Sequence, residues 1–287
     1  MTPRPLEASL PDDPFLDYCL WPYQPLAPIE GKIRSINLLR NSFDVMGVSE
    51  GMHRVVDDLV AKLGPWLSVW GLKFQDGMVG WEYYFYDYER LDRYTSISRV
   101  LDIMSPHLHC PVVPQERRPY FMFSLDLDDD LVTGKRNLDE VHVYVGNVGS
   151  NVSSGICYTQ TVDHLRMDNV YYFFNSETEM ESIIGKIACS AHLDLPSDIS
   201  PLYFQEMKDA KTIVVANKKN NEGIYYSRVT IDHLIFFLHE LSYPKDLVAF
   251  VQKNRDRLDH MFYDVGLDYT TVDGKVTVLK SGYYGYF

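Results

Sequence analysis

The sequence lacks the features of a membrane-spanning, nucleic-acid-binding or exported protein. No apolar run approaches the roughly 18 residues of a membrane span, and the first residues contain no apolar segment of a secretory signal. The net charge is −13 over 287 residues, which provides no basic surface for nucleic acid or for an anionic membrane. We therefore expect a soluble, cytoplasmic protein that binds neither nucleic acid nor a membrane.

Cysteine is scarce, and several common metal- and nucleotide-binding motifs are absent. The cysteines show neither a CxxC pair nor the spacing of a zinc site or disulfide framework, which favours buried, reduced thiols. They are Cys19, Cys110, Cys157 and Cys189. His107 and His109 stand beside one of them without a second group of ligands, so we interpret them as part of a loop. The chain contains no HExxH, P-loop or GxGxxG, so none of these motifs supports a zinc hydrolase or a nucleotide-binding protein.

Proline-rich and helical segments occupy the first quarter of the chain. Residues 1–30 are rich in proline, which removes backbone donors and predicts an extended arm laid on the surface. Residues 31–287 are predicted to form a single domain. Its first clear helix is expected to begin near Ser49 and to end before Gly64 and Pro65, because the apolar residues between them have helical spacing.

The remaining sequence predicts strands in antiparallel pairs with helices between the pairs. Asp76-Gly77 and Asp273-Gly274 are typical of tight hairpin turns. Helices are expected over residues 91–104 and 177–191, and a long one from Pro244 to about Asp264. The predicted strands are residues 67–74, 79–88, 119–127, 140–147, 154–162, 168–175, 211–219, 224–231, 233–241, 266–272 and 275–287.

Alternating side chains give these strands two different faces. Within residues 81–88, one face carries Glu82 and three tyrosines, while the other carries Trp81, Tyr83 and Phe85, and residues 120–127 alternate in a similar way. Helices can cover the more apolar face, and closing the sheet would enclose the tyrosine face as a lumen. We therefore predict an α+β fold with a closed antiparallel β-barrel of about ten strands surrounded by helices. The alternative is a sheet with helices on one face only.

Glu82 is the candidate catalytic residue. It lies between two aromatic residues in a predicted strand, on the tyrosine face. A carboxylate among aromatic rings would be poorly solvated, which would raise its pKa and make it a better hydrogen-bond acceptor for an aromatic ligand. A surface glutamate on an edge strand is the alternative interpretation.

Polar and aromatic side chains in the other strands suggest an anion site beside a tyrosine-lined space. Six polar or cationic residues lie within predicted strands: Lys73, His142, Asn169, Arg228, His233 and Lys280. Convergence in one lumen would form an anion site, although an isolated lysine in a strand usually reaches solvent. Five tyrosines have π faces that suit a cation: Tyr84, Tyr144, Tyr171, Tyr226 and Tyr284. The alternative is a tyrosine-rich core whose hydroxyls are hydrogen-bonded.

The acidic run from Asp126 to Asp130 raises the question of a bound metal. Oxygen ligands of this kind suit Mg²⁺. The run lies at a strand end before a glycine-containing loop, where a solvated acidic turn is the more common structure. We therefore expect no resident metal, with Mg²⁺ as an optional cofactor.

The order of hairpins and helices resembles the soluble aromatic prenyltransferases of the ABBA type, whose αββα units close into a ten-stranded barrel. The resemblance covers roughly residues 50–287. Gly80–Tyr83 is similar to the early strand that carries the acceptor-binding acidic residue of the family, which would be Glu82 here. The resemblance implies transfer of a dimethylallyl or geranyl group from an allylic diphosphate to an aromatic small molecule or peptide side chain.

Two further segments carry the resemblance, and two depart from it. Asp168–Phe173 resembles a strand whose Asn or Lys contacts diphosphate, and Leu279–Tyr284 resembles the closing strand with its lysine and paired tyrosines. His142 stands where the family often has lysine, and His233 stands where Arg or Lys is expected. Since histidine is only partly protonated at neutral pH, these departures predict weaker diphosphate binding.

The resemblance implies a role for each candidate residue. Glu82 would orient the acceptor, and the tyrosines would shield an allyl cation. The diphosphate would be held by Lys73, His142, Asn169, Arg228 and Lys280. The alternatives are a non-enzymatic barrel that binds an aromatic small molecule or peptide, and a purely structural protein whose tyrosine faces are fully packed. A lumen of several hundred Å³ is expected only for the first two functions.

Overall fold

A computed structural model describes residues 4–88, 93–150, 152–193, 198–202, 205–207 and 209–287. Ten antiparallel strands form a closed barrel in the order β1-β10-β9-β8-β7-β6-β5-β4-β3-β2, so that β1 pairs with both β2 and β10. The strands are β1 (Ser68–Gln75), β2 (Met78–Tyr86), β3 (Tyr120–Leu127), β4 (Val141–Gly146), β5 (Ser154–Gln160), β6 (Leu165–Asn175), β7 (Thr212–Lys218), β8 (Glu222–Val229), β9 (Tyr263–Val272) and β10 (Lys275–Tyr286). The predicted closed barrel is confirmed, and a sheet with helices on one face is excluded.

Helices surround the barrel, as predicted. Within the described residues they are α1 (Ile36–Met46), α2 (Glu50–Leu63), α3 (Ile97–Met104), α4 (Asp129–Val132), α5 (Met180–Ala188), α6 (Ile231–Glu240), α7 (Lys245–Lys253) and α8 (Arg255–Leu258). Two short 3-10 helices, Ser200–Leu202 and Gln205–Met207, precede β7. The predicted helix α2 ends where Gly64 adopts a φ of 90°, a conformation that favours glycine. Its apolar side is buried, as the spacing of its valines and leucines requires.

The two faces of the strands have different surroundings. On the outer face of β2, the Trp81 indole Nε1 donates to Ser42 Oγ on α1 at 2.8 Å, and Phe85 stacks on Phe123 with centroids 5.0 Å apart. Glu82 and Tyr84 point into the barrel on the opposite face, beside the inward residues of β1 and β3. The apolar core therefore lies between barrel and helices, and the polar and tyrosine-rich face lines the lumen.

The hairpin turns follow the sequence prediction. Asp76 and Gly77 have φ values of 51° and 79°, and Asp273 and Gly274 have values of 51° and 72°. Positive φ at both central residues matches the right-handed twist of the flanking strands, which is why Asp-Gly recurs in such turns.

Residues 233–241 were predicted to form a strand, and this prediction is wrong. They belong to helix α6, whose N-terminus is capped because the Thr230 side chain accepts from the His233 backbone N–H and the His233 ring accepts from the Thr230 N–H. Continuous apolar runs do not distinguish a buried helix from a strand by periodicity alone. The long helix predicted up to Asp264 is also wrong: α7 and α8 are short, and β9 begins at Tyr263.

Two other predicted helices are shorter than expected. The helix over residues 91–104 begins at Ile97, where Ser96 caps it, and residues 91 and 92 lie outside the described part of the chain. The helix over residues 177–191 is confined to α5. No helix separates β4 from β5 among the described residues between them, so one hairpin boundary lacks its expected helix.

The N-terminal arm is attached along the barrel at several points. Ser9 N donates to Lys32 O at 3.1 Å, and Leu26 N donates to His260 O at 3.0 Å. Between these points, Leu16 and Pro22 form an isolated bridge that closes a turn at one mouth of the barrel. An arm laid on the surface was expected, and this expectation is wrong for the turn, because Tyr18 at its tip borders the barrel cavity.

Two expectations about composition can be compared with the fold. The four cysteines are free thiols, but only Cys157 is buried and Cys189 is exposed, so the expectation that all are buried is wrong. Among the described residues, no helix is long and apolar enough to cross a membrane.

Candidate functional site

One end of the lumen holds a cluster of charged side chains centred on Glu82. Lys73 Nζ lies 2.9 Å from Glu82 Oε2 and 2.7 Å from Asp126 Oδ1, and Ser124 Oγ donates to Glu82 Oε1 at 2.9 Å. These residues share one inward face because Glu82 pairs with Gly71 on β1 and with Asp126 on β3. Strand pairing thus places the candidate catalytic carboxylate beside the nearest candidate cation.

The electrostatic state of Glu82 differs from the sequence prediction. Burial raises its pKa, but the neighbouring charges, Lys73 first and then His142 and Lys280, lower it, with a net value of about 2. We expected burial to prevail; the prediction is wrong because a buried carboxylate with a cation 2.9 Å away remains ionised. Glu82 is therefore a strong hydrogen-bond acceptor at neutral pH but a weak base.

A second group of charges lies across β7, β9 and β10. Asp268 Oδ1 is 2.6 Å from Lys218 Nζ, and Asp268 Oδ2 is 3.2 Å from Lys280 Nζ. Lys218 also donates to the Tyr225 hydroxyl at 2.7 Å. Burial raises the pKa of Asp268, but the charges of the two lysines lower it below its usual range. The three lumen lysines thus each have a carboxylate partner before any ligand binds.

His142 and Asn169 complete the polar layer. His142 Nδ1 lies 3.0 Å from Thr159 Oγ1, whose hydroxyl donates to Asp168, so the threonine oxygen accepts from the ring nitrogen. Asn169 Nδ2 donates to the Tyr171 hydroxyl at 3.1 Å. The strand pairs place both residues on the inner face, with Asn169 opposite Lys218. His142 lies close enough to Glu82 for its charge to lower the pKa of that carboxyl.

Five tyrosines form a closed ring across the lumen beside this cluster. They come from every second strand, and their successive centroids are 6.4, 6.0, 6.3, 6.5 and 5.9 Å apart in the order Tyr84, Tyr144, Tyr171, Tyr225, Tyr284 and back to Tyr84. Such separations are typical of tilted aromatic pairs. Burial raises the pKa of each phenol well above its usual value, so all five remain neutral.

Two inward glycines make room for this tyrosine ring. A Cβ on Gly266 would lie 2.1 Å from the nearest carbon of Tyr225, and a Cβ on Gly71 would lie 2.7 Å from Tyr284. Gly266 is the cross-strand partner of Tyr225, and Gly71 is the cross-strand partner of Tyr284. The rings of Tyr225 and Tyr284 therefore lie close against the backbone of the neighbouring strand, where a larger residue than glycine would displace them.

A cavity of about 270 Å³ lies on the other side of the tyrosine ring. Its wall includes the five tyrosines, and it opens toward a rim where Trp21 and Tyr88 are half exposed. Asp264 also lines it, and burial together with the charge of Asp17 raises the pKa of Asp264 to about 7. The charged cluster does not line this cavity; Asp126 and Lys280 are reached by solvent at the opposite end. The tyrosine faces that line this cavity are therefore not fully packed against other side chains.

Three predicted site residues lie elsewhere. Arg228 is at the mouth, where its Nε donates to Asp17 Oδ2 at 2.9 Å; strand alternation from inward-facing Tyr225 assigns it to the outer face. His233 lies in the cap of helix α6. Tyr226 contributes to the cavity wall, but strand alternation points its side chain away from the lumen, so Tyr225 and not Tyr226 belongs to the ring of five tyrosines. The Tyr226 hydroxyl donates to the Leu202 carbonyl.

The acidic side chains from Asp126 to Asp130, at the end of β3 and just after it, each have a separate partner within the protein. Asp126 pairs with Lys73, Asp128 caps α4 by accepting from Leu131 N, and Asp129 accepts from Ser49 N at 2.7 Å. Within the described ranges, no group of three or more His, Cys, Asp or Glu side chains is arranged to hold a metal ion. His107 lies in a loop, as expected, and bonds to Asp58 at 2.9 Å.

Sequence reasoning missed four residues of the site: Tyr18, Lys218, Tyr225 and Asp268. Lys218 and Lys219 are adjacent at the end of a predicted strand, so the sequence does not show which of the two lysines faces the lumen. Tyr225 and Tyr226 are adjacent, so only the strand register decides which of them joins the tyrosine ring. Tyr18 carries no sequence signal for its position, since the arm has no periodic pattern.

Sequence comparison leaves the chain without an assigned family. No protein-family model matches it, and no curated protein matches it in sequence. A function is therefore inferred from the fold and the side chains of the lumen.

Proposed function

We propose that this protein is an aromatic prenyltransferase that moves an allylic group from a diphosphate donor to an aromatic small molecule or peptide side chain. The observation that supports it best is the order of features along the lumen: a lysine-bearing polar cluster, a ring of neutral tyrosines, and a mainly aromatic cavity. An allylic diphosphate has the complementary order, with an anionic head and an apolar chain that becomes cationic at C1 when the head departs.

Lys73, Lys218 and Lys280 would hold the diphosphate, with His142 and Asn169 at the same level. Binding requires the lysines to exchange their carboxylate partners, Glu82 and Asp268 among them, for phosphate oxygens. The C1–O bond then breaks, and its electron pair leaves with the diphosphate, whose charge the ammonium groups stabilise. Arg228 takes no part, since it lies at the mouth.

The allyl cation would form within reach of the tyrosine ring. A cation within about 6 Å of an aromatic centroid is stabilised by the π face, and the ring provides five such faces while keeping water away. The acceptor ring, entering from the cavity, attacks C1 to form the new C–C bond. The resulting arenium ion is a strong acid, and its proton passes to the Glu82 carboxylate, which borders the tyrosine ring through its hydrogen bond with Tyr84.

Incubation with dimethylallyl or geranyl diphosphate and tyrosine, tryptophan or a simple phenol tests the proposal. We expect an alkylated product detectable by mass spectrometry and a calorimetric binding signal for diphosphate, measured with and without Mg²⁺. Glu82→Gln should reduce turnover by tenfold or more, on the order of a lost positioning or acid–base group. It should not weaken diphosphate binding, because it frees Lys73 from its 2.9 Å partner.

Lys135→Met is a matched control, since its side chain is 66% exposed outside the lumen. Absence of diphosphate binding under both conditions would refute the enzymatic proposal.

One observation favours a second candidate, a non-enzymatic barrel that binds an aromatic or cationic ligand. The lysines are already neutralised by carboxylates, as in a site that need not receive an anion. The tyrosine ring would then bind a stable cation. Choline and its neutral isostere 3,3-dimethylbutan-1-ol differ in charge but hardly in shape. Preference for choline without any diphosphate binding supports this candidate, whereas diphosphate binding supports the enzyme.

A further inference from the structure

One wall of the cavity belongs to the N-terminal arm. Asp17, Tyr18, Cys19 and Trp21 line the cavity together with the barrel tyrosines. They lie on a tight turn in which Asp17 N donates to Trp21 O at 3.1 Å and Leu20 N donates to Asp17 O at 2.8 Å, with Leu20 at a φ of 57°. The cavity is therefore completed by a segment that is not part of the barrel.

Tyr18 places its ring against the tyrosine ring. Its centroid is 5.1 Å from both Tyr84 and Tyr284 and 6.3 Å from Tyr86, with interplanar angles of 70° or more. These are edge-to-face contacts of the kind that stabilise aromatic pairs. Burial raises the pKa of Tyr18 well above its usual value, so it stands in the lumen as a neutral phenol.

Rim residues of the barrel fix the backbone of this turn. Tyr18 N donates to Asp264 Oδ2 at 2.9 Å, and the Tyr86 hydroxyl donates to Tyr18 O. The Tyr88 hydroxyl donates to Cys19 O at 2.8 Å, and Asp17 forms an ion pair with Arg228 at 2.9 Å. The turn is attached mainly through hydrogen bonds and one ion pair at the rim, so it is a unit that can be altered without touching a strand.

The volume left beside Tyr18 is small for a ligand site. Pockets for small molecules are typically about 300–1,000 Å³, and this cavity holds about 270 Å³. The barrel tyrosines are carried on hydrogen-bonded strands, whereas the backbone of Tyr18 belongs to the turn and is attached at the rim. The arm, and not the barrel, thus limits the space above the tyrosine ring.

We propose that Tyr18 is the specificity-determining residue of this lumen: the arm inserts its phenol as an end wall that sets the size of the aromatic ligand admitted from the mouth. This inference rests on the proposed function only in taking the lumen as the ligand site. It requires neither a diphosphate nor turnover, so it is testable by binding alone.

Equilibrium binding of three neutral phenols of increasing size, 4-methylphenol, 2-naphthol and 1-hydroxypyrene, tests the proposal. In Tyr18→Ala we expect the affinity for 1-hydroxypyrene to rise by about tenfold or more, since the additional rings gain a place to be buried. The affinity for 4-methylphenol should change by less than about threefold, because it fits the cavity already present. Tyr18→Phe keeps the ring and should behave like the wild type.

Asp17→Asn provides a second route that leaves the aromatic side chain intact. It weakens the ion pair with Arg228, so the turn should open more often and the large phenol should bind more tightly, by a smaller factor than in Tyr18→Ala. Tyr94→Ala, at a 53% exposed tyrosine outside the lumen, is the matched control and should leave all three affinities unchanged.

An equal change for all three phenols in Tyr18→Ala, or a Tyr18→Phe protein that behaves like Tyr18→Ala, would overturn the proposal. If no phenol binds either wild type or variant, the ligand-binding lumen fails as well, and the proposal with it. A size effect in a protein that transfers no prenyl group would leave this proposal standing and count against the enzymatic function alone.

Discussion

Replacement of Lys73 by methionine tests whether the charged cluster is held together by the buried ion pair. Methionine keeps most of the length of the side chain and removes its charge. Glu82, which is only 6% exposed, would retain Ser124 as a hydrogen-bond donor at 2.9 Å but lose its nearest cation. A carboxylate left in that state is strongly destabilised, and its pKa should rise above the usual range.

The magnitude follows from the pKa of Glu82. Burial raises it and the neighbouring cations, Lys73 foremost, lower it from the usual 4.5 to about 2, which corresponds to about 3 kcal/mol of folding free energy at neutral pH. This contribution is present above pH 4.5 and is lost as the pH falls toward 2. In the variant the sign reverses, because a folded-state pKa above 4.5 makes stability decrease as the pH rises through that value. We expect the Lys73→Met protein to be about 3–5 kcal/mol less stable than wild type at pH 7.

Urea unfolding measured at several pH values from 4 to 8 is the assay. The difference in the free energy of unfolding between wild type and Lys73→Met should shrink as the pH approaches 4. Glu82 of the variant is then protonated in the folded as well as the unfolded protein, so no unpaired charge is buried. The double variant Lys73→Met/Glu82→Gln should recover much of the loss, and Lys135→Met, at an exposed lysine, should change stability by less than about 1 kcal/mol. A loss that is the same at every pH, or one that Glu82→Gln does not relieve, would refute the reasoning.

Two other perturbations have defined outcomes. Gly266→Ala would place a Cβ 2.1 Å from the Tyr225 ring, so it should lower the free energy of unfolding by about 1–3 kcal/mol and weaken the binding of aromatic ligands. Gly80→Ala, which has open space around it, should do neither. Equal effects of the two substitutions would contradict the packing of the tyrosine ring. Burial and the charge of Asp17 raise the pKa of Asp264 from its usual 3.8 to about 7 in the folded protein. Wild-type stability should therefore decrease as the pH rises from about 4 to 7, and this group should contribute about 3–4 kcal/mol to the decrease. In Asp264→Asn that slope should be absent from the urea titration, and a slope unchanged by the substitution would show that Asp264 is not its source.

Local sequence patterns predicted much of the architecture. Asp-Gly pairs and alternating apolar and polar residues predicted antiparallel hairpins, because hairpin turns need positive φ and strands have a side-chain period of two. The same alternation assigned Glu82 to the tyrosine face, and in the structure strand pairing places it beside Ser124 and Asp126. Residues 233–241 were assigned wrongly, since the apolar run satisfies a helix and a strand equally until the Thr230 cap is considered.

The sequence by itself therefore determined the antiparallel hairpins, the two faces of their strands and the presence of a carboxylate among tyrosines, whereas the tertiary structure decided that the sheet closes into a barrel. The tertiary structure alone decided which cations reach the polar layer: Lys218 of β7 enters it opposite Asn169 and pairs with Asp268, whereas Arg228 lies at the mouth and pairs with Asp17. It also decided that Glu82 is ionised, since burial and charge oppose each other and the outcome depends on a distance. Tyr18 is the extreme case, because its place in the lumen depends on contacts with residues far away in the chain.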